Sequence, residues 1–354
     1  MKGEPMTPLS PEDIRKVRAL DRRLHARDLA SQLGLAEAEI CAALVGFGAT
    51  RIAASPDLLM PRLTAFGPLM ALTRNDACVI EKVGVYDDYR PGPHAALVVN
   101  EEIDLRIFPA QWVHAFALEE ETEKGLKRSL QIFDAAGDAV HKVHLRPGSD
   151  VGQWQPLLDD LRLVDQGSAL ALAPRQPPEV AKTNPARLED LRAGWAALED
   201  THQFLRLCAK LKMNRLGAYR LAGAPFVRRL APGSVERLLY RAAEIEVPIM
   251  IFVGNRGCIE IHTGPVGRVG DAGPWITLFD HGFDLHLRMD EIAEIYAVVK
   301  NTARGPAHSV EFFDARGLLI AQIFGVLRAG AQAVAEWNTL VAELPDAPLR
   351  EAAE

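Results

Sequence analysis

Short runs in which apolar and polar residues alternate mark out most of the chain. Residues 96–99, 103–108, 115–119 and 130–133 are alternating or β-branched and are separated by turn residues, which predicts a meander of antiparallel strands. Asp134-Ala135-Ala136-Gly137 has hairpin-turn chemistry, with the glycine free to take positive φ. The period then lengthens. Trp154, Leu157, Leu158 and Leu161 are spaced as the buried face of one amphipathic helix. A further helical stretch precedes the strands, from Ala26-Arg27-Asp28-Leu29-Ala30 through Leu33-Gly34-Leu35 to residues 40–45.

The whole succession recurs. Cys78 and Cys258, Gly84 and Gly264, Asp104-Leu105 and Asp284-Leu285, and Phe133-Asp134-Ala135 with Gly137 and Phe313-Asp314-Ala315 with Gly317 all stand 180 residues apart. Trp154 and Trp337 follow at 183, as a short insertion near residues 328–332 would give. A register held over about sixty positions identifies an internal duplication. The expected fold is α+β, a tandem structural duplication in which each half is a large antiparallel β-sheet with flanking helices, the last helix carrying Trp337, Leu340 and Val341. The expected domains are residues 1–165 and 186–354, joined by a linker at 166–185 that is rich in Ala, Pro, Gln and Gly. A length of 354 residues suits two cores.

An apolar share of 48% with 25% charged residues is that of a globular protein, and no run reaches the roughly 18 apolar residues of a membrane span. The first ten residues lack the pattern of a signal peptide, so a cytoplasmic location without membrane insertion is expected. Cys41, Cys78, Cys208 and Cys258 are far apart with no Cys-x-x-Cys pair, which reads as reduced, partly buried thiols. A net charge of −7 argues against a general nucleic-acid binder. Residues 26–45 do resemble a helix-turn-helix, but a comparable arrangement between His202 and Ala224 makes this a structural feature shared by both halves. A DNA-binding regulator is the lesser alternative.

Ten histidines show no zinc spacing, and alternation in a strand puts His141 and His144 on opposite faces. There is no Gly-rich phosphate loop and no Gly-x-Ser-x-Gly elbow. What remains is Glu199-Asp200-Thr201-His202-Gln203-Phe204 at a helix start, with Asp200 or Thr201 placed to cap it. His202, flanked by Phe204 and Leu205, has the chemistry to offer Nε2 to a haem iron. Taken alone it reads equally as a packing or surface residue. The corresponding place in the first half, near Leu24 and His25, has no similar sequence, so a ligand here would mean one haem per chain.

Trp195-Ala196-Ala197-Leu198-Glu199-Asp200-Thr201-His202-Gln203-Phe204, Ile103-Asp104-Leu105-Arg106-Ile107-Phe108, Gly254-Asn255-Arg256-Gly257-Cys258 with His262-Thr263-Gly264, and Phe283-Asp284-Leu285-His286-Leu287-Arg288 together resemble the haem utilisation family of HemS, HmuS, ChuS and PhuS. The resemblance covers nearly the whole chain. It implies a haem cleft between the halves, His202 as the proximal iron ligand, Arg106 as the distal and catalytic arginine, and Phe108 beside the porphyrin. It further implies Arg215 and Lys300 at the propionates, with Gln322 and Phe324 in the pocket. Lys300 has Glu120 as its first-half equivalent. Phe324 stands where some relatives have tyrosine, and Leu327 where an arginine often occurs, with Arg328 as the adjacent substitute. The implied function is degradation of haem b with release of iron, a haem oxygenase-like activity that draws on an external electron donor. The alternative is a non-enzymatic carrier that takes haem from the cytoplasmic side of a transporter and delivers it to a separate haem oxygenase.

Overall fold

The structure is a computed structural model that describes residues 9–21, 24–123 and 125–348 of the chain. The leader reading of the first ten residues falls mostly outside them. The first half runs α1 (Pro11–Leu20), α2 (Ala26–Leu33), α3 (Glu37–Ala43), β1 (Ala49–Ile52), α4 (Pro56–Leu63), β2 (Leu69–Arg74), β3 (Cys78–Gly84), β4 (Tyr89–Arg90), β5 (Ala96–Val99), β6 (Asp104–Ile107), β7 (His114–Thr122), β8 (Gly125–Phe133), β9 (Ala139–Leu145) and α5 (Trp154–Leu161). The second runs α6 (Leu188–Ala196), α7 (Gln203–Lys210), α8 (Arg215–Ala222), β10 (Val227–Arg229), α9 (Ser234–Glu244), β11 (Ile249–Gly254), β12 (Cys258–Gly264), β13 (Arg268–Ala272), β14 (Trp275–Asp280), β15 (Phe283–Arg288), β16 (Glu294–Thr302), β17 (Gly305–Phe313), β18 (Leu319–Gly325) and α10 (Ala331–Ala342).

The strands form two nine-stranded sheets, ordered β1-β7-β8-β9-β2-β3-β15-β14-β13 and β10-β16-β17-β18-β11-β12-β6-β5-β4. The fold is therefore the expected α+β class, two large antiparallel sheets with flanking helices. The duplication extends to irregularities. The β8–β9 register shifts between Ile132 and Phe133, and the β17–β18 register shifts between Phe312 and Phe313. Both hairpins then turn on the same chemistry. Asp134 Oδ1 accepts from the amides of Ala136 and Asp138, and Asp314 Oδ1 from those of Arg316 and Leu318. Gly137 at φ +81° and Gly317 at φ +86° occupy the left-handed region that only glycine enters without strain.

The chain divides into two compact units: one with the described residues to Thr73, Lys82–Arg175 and Asn255–Ile259, the other with Arg74–Glu81, Gln176–Gly254 and the described residues from Glu260 onward. Strand alternation builds two buried faces in each. In the first unit Leu69, Ala71, Ala117, Leu130, Ile132 and Val143 pack with α4 and α5, while Phe116, Leu118 and Phe133 face Ala38, Cys41 and Ala42 of α3. In the second, Ile249, Ile251, Ala297, Val310, Phe312 and Ile323 pack with α9 and α10, while Tyr296, Val298 and Phe313 face α6, α7 and α8 through Trp195, Phe204, Leu216 and Tyr219. Each fully buried side chain of this size contributes about 1.5–3 kcal/mol.

Residues 166–175 lie along the first unit: Gln166 brackets the Arg51 backbone, Ala173 donates to the Ala135 carbonyl, and Arg175 makes a forked pair with Asp138. Residues 176–185 follow the second, where the Asn214 side chain accepts from the Lys182 amide and donates to the Val180 carbonyl. All four cysteines are free and buried. Among the described residues no helix is long and apolar enough to cross a membrane.

Candidate functional site

The face of the second unit covered by α6, α7 and α8 carries most of the residues singled out above. Helix α7 is placed by its apolar stripe, with Phe204 and Cys208 buried. Phe204 packs on Trp195 at 4.5 Å between ring centroids and on Tyr219 at 5.5 Å. Phe204 therefore does not flank His202 as the sequence suggested, because the helical period turns it into the core. Leu205 stays exposed. The same stripe leaves His202 at the N-cap with its side chain 86% exposed.

Asp200 does not cap the helix in the expected way. Its Oδ1 accepts from the His202 amide at 2.7 Å and bonds His202 Nδ1 at 2.6 Å, and α7 has no side-chain cap. The hydrogen bond from the His202 amide is the main reason the Asp200 carboxyl is held below its usual range. A carboxylate only accepts, so Nδ1 carries the hydrogen and Nε2 presents its lone pair to solvent. That is the geometry of a ligating imidazole.

Behind α7 and α8 lies a buried ionic cluster. Glu311 on β17 is wholly buried and takes four donors: Lys300 Nζ at 2.6 Å and Ser309 Oγ at 2.9 Å on Oε1, Arg215 Nη1 at 2.7 Å and Tyr219 Oη at 2.7 Å on Oε2. Burial opposes its ionisation, but Lys300 and Arg215 outweigh burial and hold the carboxyl at about 2. Lys300 Nζ also donates to Tyr219 Oη at 2.9 Å and lies over the rings of Phe204, Tyr219 and Phe324 at 5.0, 5.3 and 5.9 Å. The two cations expected at propionates thus share one resident carboxylate. Arg215 remains a fifth exposed and lines a cavity of about 410 Å³ with Leu205, Cys208, Met213 and Phe313.

Gln322 and Phe324 lie half-buried on the same sheet face, as register partners of Glu311 and Ser309, and Phe324 meets Phe252 edge-on at 5.3 Å. Arg328 is exposed in the turn Leu327–Ala329. Arg106 and Phe108 belong to the first unit. Arg106 on β6 is partly exposed, with Nη1 paired to Asp104 Oδ1 and donating to the Leu105 carbonyl at 3.2 Å. Phe108 is half-buried, and its amide donates to the Gly257 carbonyl at 3.0 Å.

The first unit has its own buried polar group in the opposite, apolar layer. His141 Nδ1 bonds Thr73 Oγ1 at 2.9 Å, and its Nε2 bonds Tyr86 Oη at 2.8 Å. Burial drives its pKa down to about 3, so it is neutral. His144 on the other face of β9 is also buried, with its pKa pushed well below the ordinary range chiefly by burial. Among the described residues no group of three or more His, Cys, Asp or Glu side chains is arranged to hold a bare metal ion.

Sequence reading missed Asp200 as the partner of the His202 ring, and it missed Glu311 and Tyr219. A signal for Glu311 existed: Ala307, Ser309, Glu311 and Phe313 alternate on one strand, and Phe313 is plainly core.

A family model described as haemin-degrading HemS.ChuX domain matches this chain twice, over residues 34–161 and 212–344. The hemin transport protein HmuS of Yersinia pestis is 36% identical over 321 residues, covering 90% of this chain and 92% of that protein. The structure of holo-PhuS, a heme-binding protein from Pseudomonas aeruginosa, aligns with a TM-score of 0.90 at 41% identity, over 96% of this chain and all of that one. The structure of ChuS, described as an E. coli heme oxygenase, aligns with a TM-score of 0.83 at 31% identity, over 93% and 98%.

Proposed function

The chain belongs to the haemin-degrading HemS/ChuX family, and from that premise we propose that it is a cytoplasmic haem-binding protein that degrades haem to release iron, with His202 as axial ligand and Arg106 on the distal side. The observation that carries this reading is the bare, solvent-facing Nε2 of His202, fixed in that tautomer by Asp200. A single imidazole suffices for an iron already held by four porphyrin nitrogens, whereas a bare ion needs several protein ligands. Haem, as substrate, supplies the redox centre. The protein supplies the rest: Asp200 orients the imidazole, and Arg106, steadied by Asp104, keeps guanidinium donors for a small polar molecule on the far haem face. Phe108, Gln322 and Phe324 offer porphyrin contacts, and Arg215, Lys300 and Arg328 are the cations considered for the propionates.

A second reading is a carrier that takes haem from the cytoplasmic side of a transporter and delivers it to a separate oxygenase. The exposure of both His202 and Asp200 favours it, because an exposed local pair gives the ligand only weak restraint and suits release. The relatives' names point both ways: one is called a transport protein, another a heme oxygenase. The test is to give the one-to-one hemin complex ascorbate or a nicotinamide reductant as external electron donor under air. Loss of the Soret band with a tetrapyrrole product and chelatable iron is expected. A Soret band that persists unchanged would overturn degradation in favour of carriage.

A further inference from the structure

The ionic cluster behind α7 and α8 holds two cations and one carboxylate, and the cations are not in equal circumstances. The Lys300 side chain is 3% exposed. Its ammonium is taken up by Glu311 Oε1, Tyr219 Oη and the faces of three aromatic rings. Arg215 spends Nη1 on Glu311, keeps other donors of its planar fork, and lines the cavity that Leu205, Cys208 and Met213 also line, in which Lys300 has no part. We propose that Glu311 is a resident counter-carboxylate that withdraws Lys300 from ligand recognition and positions Arg215 as the one cation of this cluster that receives a carboxylate of the ligand. This rests on the haem-binding reading and reassigns the part expected of Lys300.

The chemistry favours the arrangement. An incoming propionate that captured Lys300 would strand Glu311 as a buried carboxylate short of a counter-ion, the costliest outcome for such a pair. A propionate that meets the open side of Arg215 disturbs nothing. Glu311 already holds the guanidinium in one plane, so its remaining donors are set before the ligand arrives. With Lys300 and Glu311 cancelling, the cluster offers one positive charge, which matches one propionate and not two. The first unit has no such device, since the equivalents of Glu311, Lys300 and Arg215 are Gln131, Glu120 and Glu37.

The test compares hemin with its dimethyl ester, in which both propionates are capped, by absorbance titration. Wild-type protein is expected to prefer hemin. Arg215→Met should weaken hemin binding roughly tenfold and remove that preference. Lys300→Met alone risks misfolding, so the paired variant Lys300→Met with Glu311→Gln removes both partners and keeps the net charge. It should hold the preference within about threefold of wild type. Loss of the preference in the paired variant, or its survival in Arg215→Met, overturns the proposal. A wild-type protein that gives no Soret shift with hemin would instead overturn the haem-binding reading, and the proposal with it.

Discussion

The helix-covered faces of the two units share one scaffold and carry opposite chemistry. Glu37 and Arg215 are the first residues of α3 and α8, and Cys41 and Tyr219 are the fifth. In the first unit Glu37 pairs with Lys142 of β9, and Cys41 lies 3.8 Å from Gln131. In the second, Arg215 and Tyr219 both serve Glu311, the counterpart of Gln131. The apolar faces invert the contrast. Thr73, Tyr86 and His141 form a buried hydrogen-bonded chain, while their counterparts 180 residues on, Val253, Val266 and Ala321, are plain core. The second unit thus places its buried polar groups beside the candidate ligand-binding surface, and the first places them inside its own packing. A duplicated backbone sets where a site can be, and a handful of substitutions decides which copy has it.

The His202 cap shows the same division. Helices α2 and α7 are both eight residues long, and both begin immediately after a histidine, His25 and His202. The residue two before His202 is Asp200, and the residue two before His25 is Arg23. An arginine cannot accept from a ring nitrogen, so the first copy has a histidine but not the device that sets its tautomer.

The sharpest way to break this comparison is to remove one partner of the second unit's ionic cluster. Lys300→Met leaves Glu311 with Arg215 alone and should cost about 3–5 kcal/mol in denaturant unfolding, with most of it regained when Glu311→Gln is added. Lys142→Met, in the partly exposed pair of the first unit, should cost about 1 kcal/mol. Equal losses would remove the distinction.

Acid separates the units next. His141 titrates near 6.5 unfolded and about 3 folded, so unfolding takes up a proton between those values, and stability falls there by about 1.4 kcal/mol per pH unit. Glu311, depressed from 4.5 to about 2, contributes stability that is fully present above 4.5 and is lost as pH falls from there towards 2. His141→Gln should lower the proton uptake on unfolding at pH 5 by about one. An unchanged uptake would mean that the ring is already protonated in the fold.

Smaller effects attach to the caps. Asp200→Ala should weaken hemin binding by about threefold, the range of an exposed orienting contact. His25→Ala should leave both affinity and stoichiometry unchanged. A loss of bound hemin in His25→Ala would show that the first copy is a ligand site after all.

The sequence carried the fold well because the strands alternate cleanly and the interval of 180 residues repeats even the turn residues Asp134 and Asp314. It did not reveal that residues 74–81 belong with the second unit and 255–259 with the first. Asn75 and Asn255 make the same local turn, each accepting from amides two and three residues on, so the exchange leaves no local mark. At the site, the block around His202 was legible as a family motif. Glu311 was not, because its partners Arg215 and Tyr219 stand 96 and 92 residues away and a strand glutamate reads as solvent-facing until its neighbours are known. Phe204 misled for the converse reason: adjacency to His202 in sequence is not adjacency on a helix.

The central claim is that one exposed histidine of the second unit holds haem iron. Hemin titration followed at the Soret band tests it most directly, with wild type, His25→Ala and His202→Ala compared in parallel. The account predicts saturation at one hemin per chain for the first two and loss of the ligand-bound spectrum in His202→Ala. An unaltered spectrum in His202→Ala would contradict it.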